Sequence, residues 1–299
     1  MTPYGARYEP PSGIKRKVMA QTRDSIRVAG TLTSAIRSLP DYLIIGTKRG
    51  GTTSLARWLL DHPGVRSLFP AREHRKGTYY FDVNYGRGEG WYRGHFPTTI
   101  SNHLLERAHS RRLLIGEATP YYLYHPHAAA RAQALVPNAK VIALLRNPID
   151  RAHSHWLERT RQGVEHLEFE AAIDAEPERL DGEEARMIAD PSYQSFAHQH
   201  WSYVDQGRYS RGLRRWMAAY PSHQIHVIRS EDLYQDPLGE FSRVVDFLGL
   251  DPHTPEELAA WNNRGRDPVD AAMRARLSGL LAEDIGEVES ILGRGMDWL

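Results

Sequence analysis

The chain contains no cysteine, which excludes disulfides, thiolate metal sites and a cysteine nucleophile together. The absence also fits a reducing compartment, and we expect a cytoplasmic location. No stretch approaches the ~20 apolar residues of a membrane span. An apolar signal core is missing too, since residues 1–17 are polar and rich in Pro and Gly. An excess of one charge sign is likewise lacking. A formal net charge of +1 over 299 residues argues against a protein coated by nucleic acid. The 15 histidines are scattered, and pairs such as His125/His127 and His153/His155 have no carboxylates beside them, so a metal site is not expected. No internal repeat or low-complexity tract is visible.

What is present is an ordinary globular composition, 41% hydrophobic and 25% charged, in a chain long enough for one large α/β domain. The first forty residues are basic through Arg7, Lys15, Arg16, Lys17, Arg23, Arg27 and Arg37. They read as a solvated leader followed by a surface helix from residue 25 to 38. A peripheral membrane contact is the lesser reading, because the apolar face Ile26, Val28, Leu32, Ile36 is short.

From residue 41 onward, strands alternate with helices. Tyr42-Leu43-Ile44-Ile45 is bounded by Pro40-Asp41 and Gly46. A helical pattern over 53–60 stops at Asp61-His62-Pro63-Gly64. Short strands are expected at 65–69 and 78–81, then at 113–116. The run 140–145 (KVIALL) is continuously apolar after Lys140, as befits a strand buried on both faces. Pro148 opens a helix to about residue 158. A late strand at 225–228 lies between helices at 209–219 and 237–248. This order implies a P-loop-like, three-layer α/β fold, its mostly parallel sheet flanked by helices. We expect a single domain over 41–299, with an acidic, weakly periodic insertion or lid near 163–205. The apolar positions of a last helix, with Trp298 beyond it, suggest that the C-terminus docks.

Two segments carry chemistry. Gly46-Thr47-Lys48-Arg49-Gly50-Gly51-Thr52-Thr53-Ser54 joins a strand to a helix. Its glycines let the backbone wrap an anion, and the free N–H groups of the helix start point at it. A triphosphate loop reads G-x-x-x-x-G-K-[ST]; here Gly46 and Gly51 keep the spacing, but Thr52 occupies the lysine slot. The loop therefore suits a shorter anion chain than ATP. In the second segment, Arg146 ends a strand at the carboxyl edge of the sheet, where open α/β sheets bind ligands, and Ser154 lies on the following helix. Arg146 can pair with Asp150, or it can share a phosphate with Ser154. Two anion sites at neighbouring strand ends fit a nucleotide phosphorylated at two positions.

These residues resemble the sulfotransferases that use 3′-phosphoadenosine 5′-phosphosulfate (PAPS), most of all the heparan-sulfate-type and related bacterial members. IGTKRGGTTSL is similar to their 5′-phosphosulfate loop, and ALLRNPIDRAHSHW to their 3′-phosphate motif. Similarity continues through Tyr80-Phe81-Asp82, Trp91-Tyr92, Gly116-Glu117-Ala118-Thr119-Pro120-Tyr121-Tyr122, Gly207-Arg208-Tyr209 and Asp246-Phe247-Leu248-Gly249, covering roughly 41–250. The resemblance implies PAPS as donor, bound through Lys48, Arg49, Gly50, Gly51, Thr52, Thr53, Ser54, Arg146 and Ser154. The Arg264-Gly265-Arg266 loop would close on the nucleotide, and no metal would take part. It implies sulfuryl transfer to a hydroxyl or amine of a small-molecule, glycan or lipid-linked acceptor. The family usually has lysine where Arg49 falls, so either Lys48 or Arg49 can stabilise the leaving group.

Three further positions depart from that pattern. Gly77 stands where the heparan-sulfate-type enzymes carry their catalytic glutamate, Tyr79 where they carry histidine, and Ala118 where they carry a lysine. A base must then come from elsewhere, with Asp82, Glu117 and His74 as candidates, or the acceptor must need little help. Each has a plain alternative: Asp82 can cap a turn, Glu117 can pair in the core, and His74 can be a solvated loop residue. A nucleotide kinase, disfavoured by Thr52, is the alternative enzyme. A PAP-binding module without turnover is the alternative from another class.

Overall fold

The computed structural model describes residues 28–71, 76–258 and 268–299. Five strands form one sheet in the order β2-β3-β1-β4-β5. They are β1 (Tyr42–Gly46), β2 (Val65–Arg66), β3 (Leu114–Ala118), β4 (Lys140–Leu145) and β5 (Ile225–Arg229). All pairings are parallel, with Tyr42 opposite Gly116 on one side of β1 and opposite Lys140 on the other. Parallel neighbours need crossovers, and helices supply them. On one face lie α1 (Thr52–Asp61) and α11 (Pro237–Leu248); on the other lie α4 (Ala128–Leu135), α9 (Tyr209–Ala219) and α12 (Ala271–Leu292).

The layering follows from strand periodicity. Along β1, Leu43 and Ile45 enter the core beneath α9 and α12, while Tyr42 and Ile44 enter the core beneath α1 and α11. Successive side chains point to opposite faces, so a central strand with helices on both sides must be apolar at every position. Val141 through Leu145 of β4 are buried without interruption for the same reason.

Three expectations about local structure change. Residues 78–81 form a turn rather than a strand. Their N–H groups are taken by side chains: Thr78 donates to Glu117 Oε2, and Tyr80 and Phe81 donate to the Tyr122 hydroxyl. The strand expected over 65–69 is limited to β2, Val65–Arg66. The segment 163–205, read as an acidic insertion or lid, is largely helical, with α6 (Phe169–Leu180), α7 (Glu183–Ala189) and α8 (Phe196–His200). Several of its acids are structural. Glu176 is buried and accepts the N–H groups of Val204 and Asp205, and Glu165 binds Arg179 and the Tyr203 hydroxyl. The remaining helices are α2 (Glu89–Arg93), α3 (Thr99–His109), α5 (Pro148–Arg161) and α10 (Ser230–Gln235).

Candidate active site

The glycine-rich segment turns directly from β1 into α1. Thr47 donates its N–H to the Leu144 carbonyl and Gly50 to that of Thr47. A side chain at Gly50 would sit 2.8 Å from the Leu144 oxygen, so only glycine lets the loop lie this close to β4. Arg49 and Gly51 have φ of 69° and 97°, a left-handed pair that folds the loop tightly. No side chain caps α1, which leaves its first N–H groups for an anion. Above them stands a cation from elsewhere in the chain. Lys76 Nζ donates to Thr53 Oγ1 at 2.6 Å and lies 3.5 Å from Thr52 Oγ1. The lysine that the loop itself lacks at Thr52 is thus supplied by the segment before the 78–81 turn.

The second motif meets the first. Asn147 caps α5 by accepting from Ile149 and Asp150, and Pro148 occupies the first turn, where its missing N–H costs nothing. This start aims Ser154, one face further along α5, at the loop: Arg49 Nε donates to Ser154 Oγ at 2.8 Å. Arg49 also lies 3.4 Å from Glu158 on the same helix. Arg146 donates to the Arg49 carbonyl at 3.2 Å. Asp150 pairs instead with Arg274, so the expected alternative partner of Arg146 is engaged elsewhere. Ser230 holds the Gly50 carbonyl from the far side.

The two loop cations point apart. Arg49 faces Ser154 and Glu158, whereas Lys48 reaches under Tyr121, with Nζ 4.4 Å from the ring centre, and donates to the Gln199 carbonyl of α8. Burial, and then the nearby Arg159 guanidinium, bring the Lys48 ammonium down to about 7. Burial similarly lowers Lys76 to about 8, opposed by the attraction of Glu158.

The carboxylate candidates separate sharply. Glu117 is buried with both oxygens occupied. Oε2 accepts from the Thr78 N–H and hydroxyl and from Thr119, and Oε1 from the Tyr92 and Tyr122 hydroxyls. Burial raises its pKa against the pull of those bonds. It is a hub that ties the 78–81 turn to β3. Asp82 is also buried, and its Oδ1 accepts from Val83, but Oδ2 has no hydrogen-bond partner among the described residues. Burial pushes Asp82 up to about 7, with the Val83 N–H and the Lys48 charge pulling the other way. A buried carboxyl in the field of a lysine, with one oxygen unengaged among the described residues, can accept a proton near neutrality. Tyr79, between Gly77 and Asp82, is held at a φ of 55°. His74, Arg264, Gly265 and Arg266 lie outside the described residues.

Sequence reasoning brought Lys48–Ser54, Arg146, Ser154 and Asp82 to one end of the sheet, and they gather there. It passed over Lys76, Glu158 and Gln199. Lys76 had a legible signal, a basic residue next to the Gly77 position. Glu158 and the Gln199 carbonyl had none, because their roles arise only when α5 and α8 pack beside the loop.

Residues 39–263 match a family model described as "Sulfotransferase domain". The chain is 26% identical to "Membrane-associated sulfotransferase kil1" of Dictyostelium discoideum, over 95% of this chain and 71% of that protein. It is 32% identical to human "Heparan sulfate glucosamine 3-O-sulfotransferase 3B1", over 73% of this chain and 48% of that protein. The chain therefore spans about half the length of such heparan sulfate relatives. Among solved structures, the sulfotransferase of Alicyclobacillus acidocaldarius superposes with a TM-score of 0.66 at 24% identity, covering 87% of this chain and 99% of that one.

Proposed function

The chain belongs to the sulfotransferase domain family, and we propose that it transfers the sulfuryl group of PAPS to a hydroxyl or amine of a small-molecule, glycan or lipid-linked acceptor. The observation that carries this reading is the convergence of Lys76, Arg49, Arg146 and Ser154 on one glycine-rich loop. The 5′-phosphosulfate lies on the α1 N-terminus, between Lys76 and Arg49. The 3′-phosphate takes Arg146 and Ser154. Asp82 accepts the proton of the acceptor as its oxygen or nitrogen attacks sulfur. The bond from sulfur to the phosphate oxygen breaks, and its electron pair leaves with PAP. Positive charge already in place does most of this work, as in phosphoryl transfer. An always-charged Arg49 stabilises that leaving oxygen without giving it a proton, so Lys76 is the better proton source.

Calorimetry tests the donor assignment. PAP should bind much more tightly than ADP, because only PAP places a phosphate at Arg146 and Ser154. Arg146→Ala should cost PAP about 1.5–3 kcal/mol, the range of a hydrogen bond to a charged group, and should cost ADP little. Equal affinity for the two nucleotides would sink the assignment.

A further inference from the structure

Helix α3 is amphipathic in the inverted sense. Its polar side is turned inward: Arg66 donates to Ser101 and Asn102, and Glu106 accepts the N–H of Leu113. Its apolar side is turned out, with Ile100 63%, Leu104 61% and Leu105 38% exposed. No residue of this helix is buried. The segment 28–36 behaves in the same way. Gly30 packs against Gly94 so closely that a side chain there would lie 2.6 Å from the Gly94 oxygen. Arg37 turns inward onto the Phe96 carbonyl and over the Phe69 ring. Val28, Leu32 and Ile36, spaced one turn apart, are left 58%, 81% and 47% exposed.

The two segments adjoin. Arg37 bridges Thr98, Ser38 donates to the Pro97 carbonyl, and Thr99 donates to the Ile36 carbonyl. Single exposed apolar side chains need no explanation, but six on adjoining segments mark a surface made to be covered. Charge indicates by what. Residues 1–27, which lead directly into Val28, contain six Lys or Arg against two acids, Glu9 and Asp24. Arg107 adds an exposed cation on α3. Two copies placed face to face would bring these like charges together, whereas an anionic surface would attract them. No helix among the described residues is long and apolar enough to cross a membrane, so contact would lie in the plane of the interface.

We propose that this face seats the protein on an anionic lipid bilayer, with the six apolar side chains at the headgroup–acyl boundary and the net positive charge of the N-terminal sequence adding attraction to lipid phosphates. The face does not include the nucleotide site, so the proposal stands apart from the donor assignment. The test is flotation of the full chain with vesicles of phosphatidylcholine, alone or containing phosphatidylserine. Binding should require phosphatidylserine and weaken with added salt. The double variant Ile100→Ser/Leu104→Ser should reduce it at least about tenfold, the loss expected when two partly inserted apolar side chains no longer leave water. Lys15→Gln/Arg16→Gln/Lys17→Gln should reduce it by a comparable factor and flatten the salt dependence. Both variants should keep native PAP affinity and melting temperature. Failure to float with phosphatidylserine vesicles, or flotation unchanged by the double variant, would overturn the proposal. So would a dimer in lipid-free ultracentrifugation that the double variant dissociates, which would identify a second copy as the occupant.

Discussion

Asp82 and Glu117 show how two buried carboxyls of one site acquire different work. Five donors satisfy Glu117, whereas one oxygen of Asp82 has no partner among the described residues. Asp82→Asn preserves volume and should lower kcat by about 10²–10⁴-fold, the usual worth of a general base, with PAP affinity unchanged. In the native enzyme kcat/KM should rise with pH through about 7, as Asp82 ionises. The stability effect has the opposite sign. Because the folded pKa lies above the ordinary value, the folded state favours the protonated acid. That contribution is complete below the unfolded pKa and is lost as pH rises through about 7. Asp82→Asn should therefore melt no lower than the native protein at pH 8. Glu117→Gln should do the reverse, placing an NH₂ or a weaker acceptor against hydroxyl and N–H donors at about 1–3 kcal/mol for each group left unsatisfied. Its melting temperature should fall while the pH limb stays. Near-normal turnover of a folded Asp82→Asn enzyme would remove Asp82 from the role.

At the scale of elements, the same segment explains why glycine stands at position 77, where the resemblance leads us to expect a glutamate. Lys76 accepts the Ala118 N–H at its carbonyl, so this segment lies flat along the end of β3. A Cβ on Gly77 would fall 2.3 Å from the Ala118 oxygen and 2.5 Å from Thr119 Oγ1. Gly77→Glu should consequently depress the melting temperature and activity together, and Gly77→Ala should show the same effects more mildly. A native melting temperature with raised turnover in Gly77→Glu would mean that the segment opens to admit the acid. Much of this architecture was legible in the sequence, because β1 and, from Val141 on, β4 are apolar without a break and the loop between β1 and α1 carries its own glycine and hydroxyl pattern. The aromatic run at 78–81 misled, since alternating bulk reads as a strand until Glu117 and Tyr122 are seen to take its N–H groups. Within the segment 163–205, read as an insertion or lid, the structural work of the acids was not legible. Glu165 and Glu176 look solvated in a linear pattern, yet they satisfy buried backbone and side-chain donors.

Over the whole molecule, the last residues of the chain close on the second anion motif. Trp298 is 5% exposed. Its carbonyl accepts from Asn147 Nδ2, and its indole donates to Glu231 Oε2 at 3.2 Å. Glu231 Oε1 in turn accepts the Asn147 N–H, and Tyr209, which packs edge-on against the indole, donates to the Arg146 carbonyl. The backbone of Arg146 and Asn147 is therefore fixed by groups from α9, α10 and the C-terminus at once. Trp298→Ala removes a large buried side chain, a loss of about 3–5 kcal/mol in a core, and takes the indole donor from Glu231 Oε2. The melting temperature should drop by several degrees or more. If the C-terminus also positions the site, PAP should bind several-fold more weakly at temperatures where the variant remains folded, while ADP, with no phosphate at Arg146, should change little. Trp298→Phe keeps most of the packing and loses the indole donor, so it should restore most of the melting temperature. A lowered melting temperature with native PAP affinity in both variants would reduce Trp298 to a stabilising anchor. A selective loss for PAP would show that the end of the chain helps to hold Arg146 where the 3′-phosphate needs it.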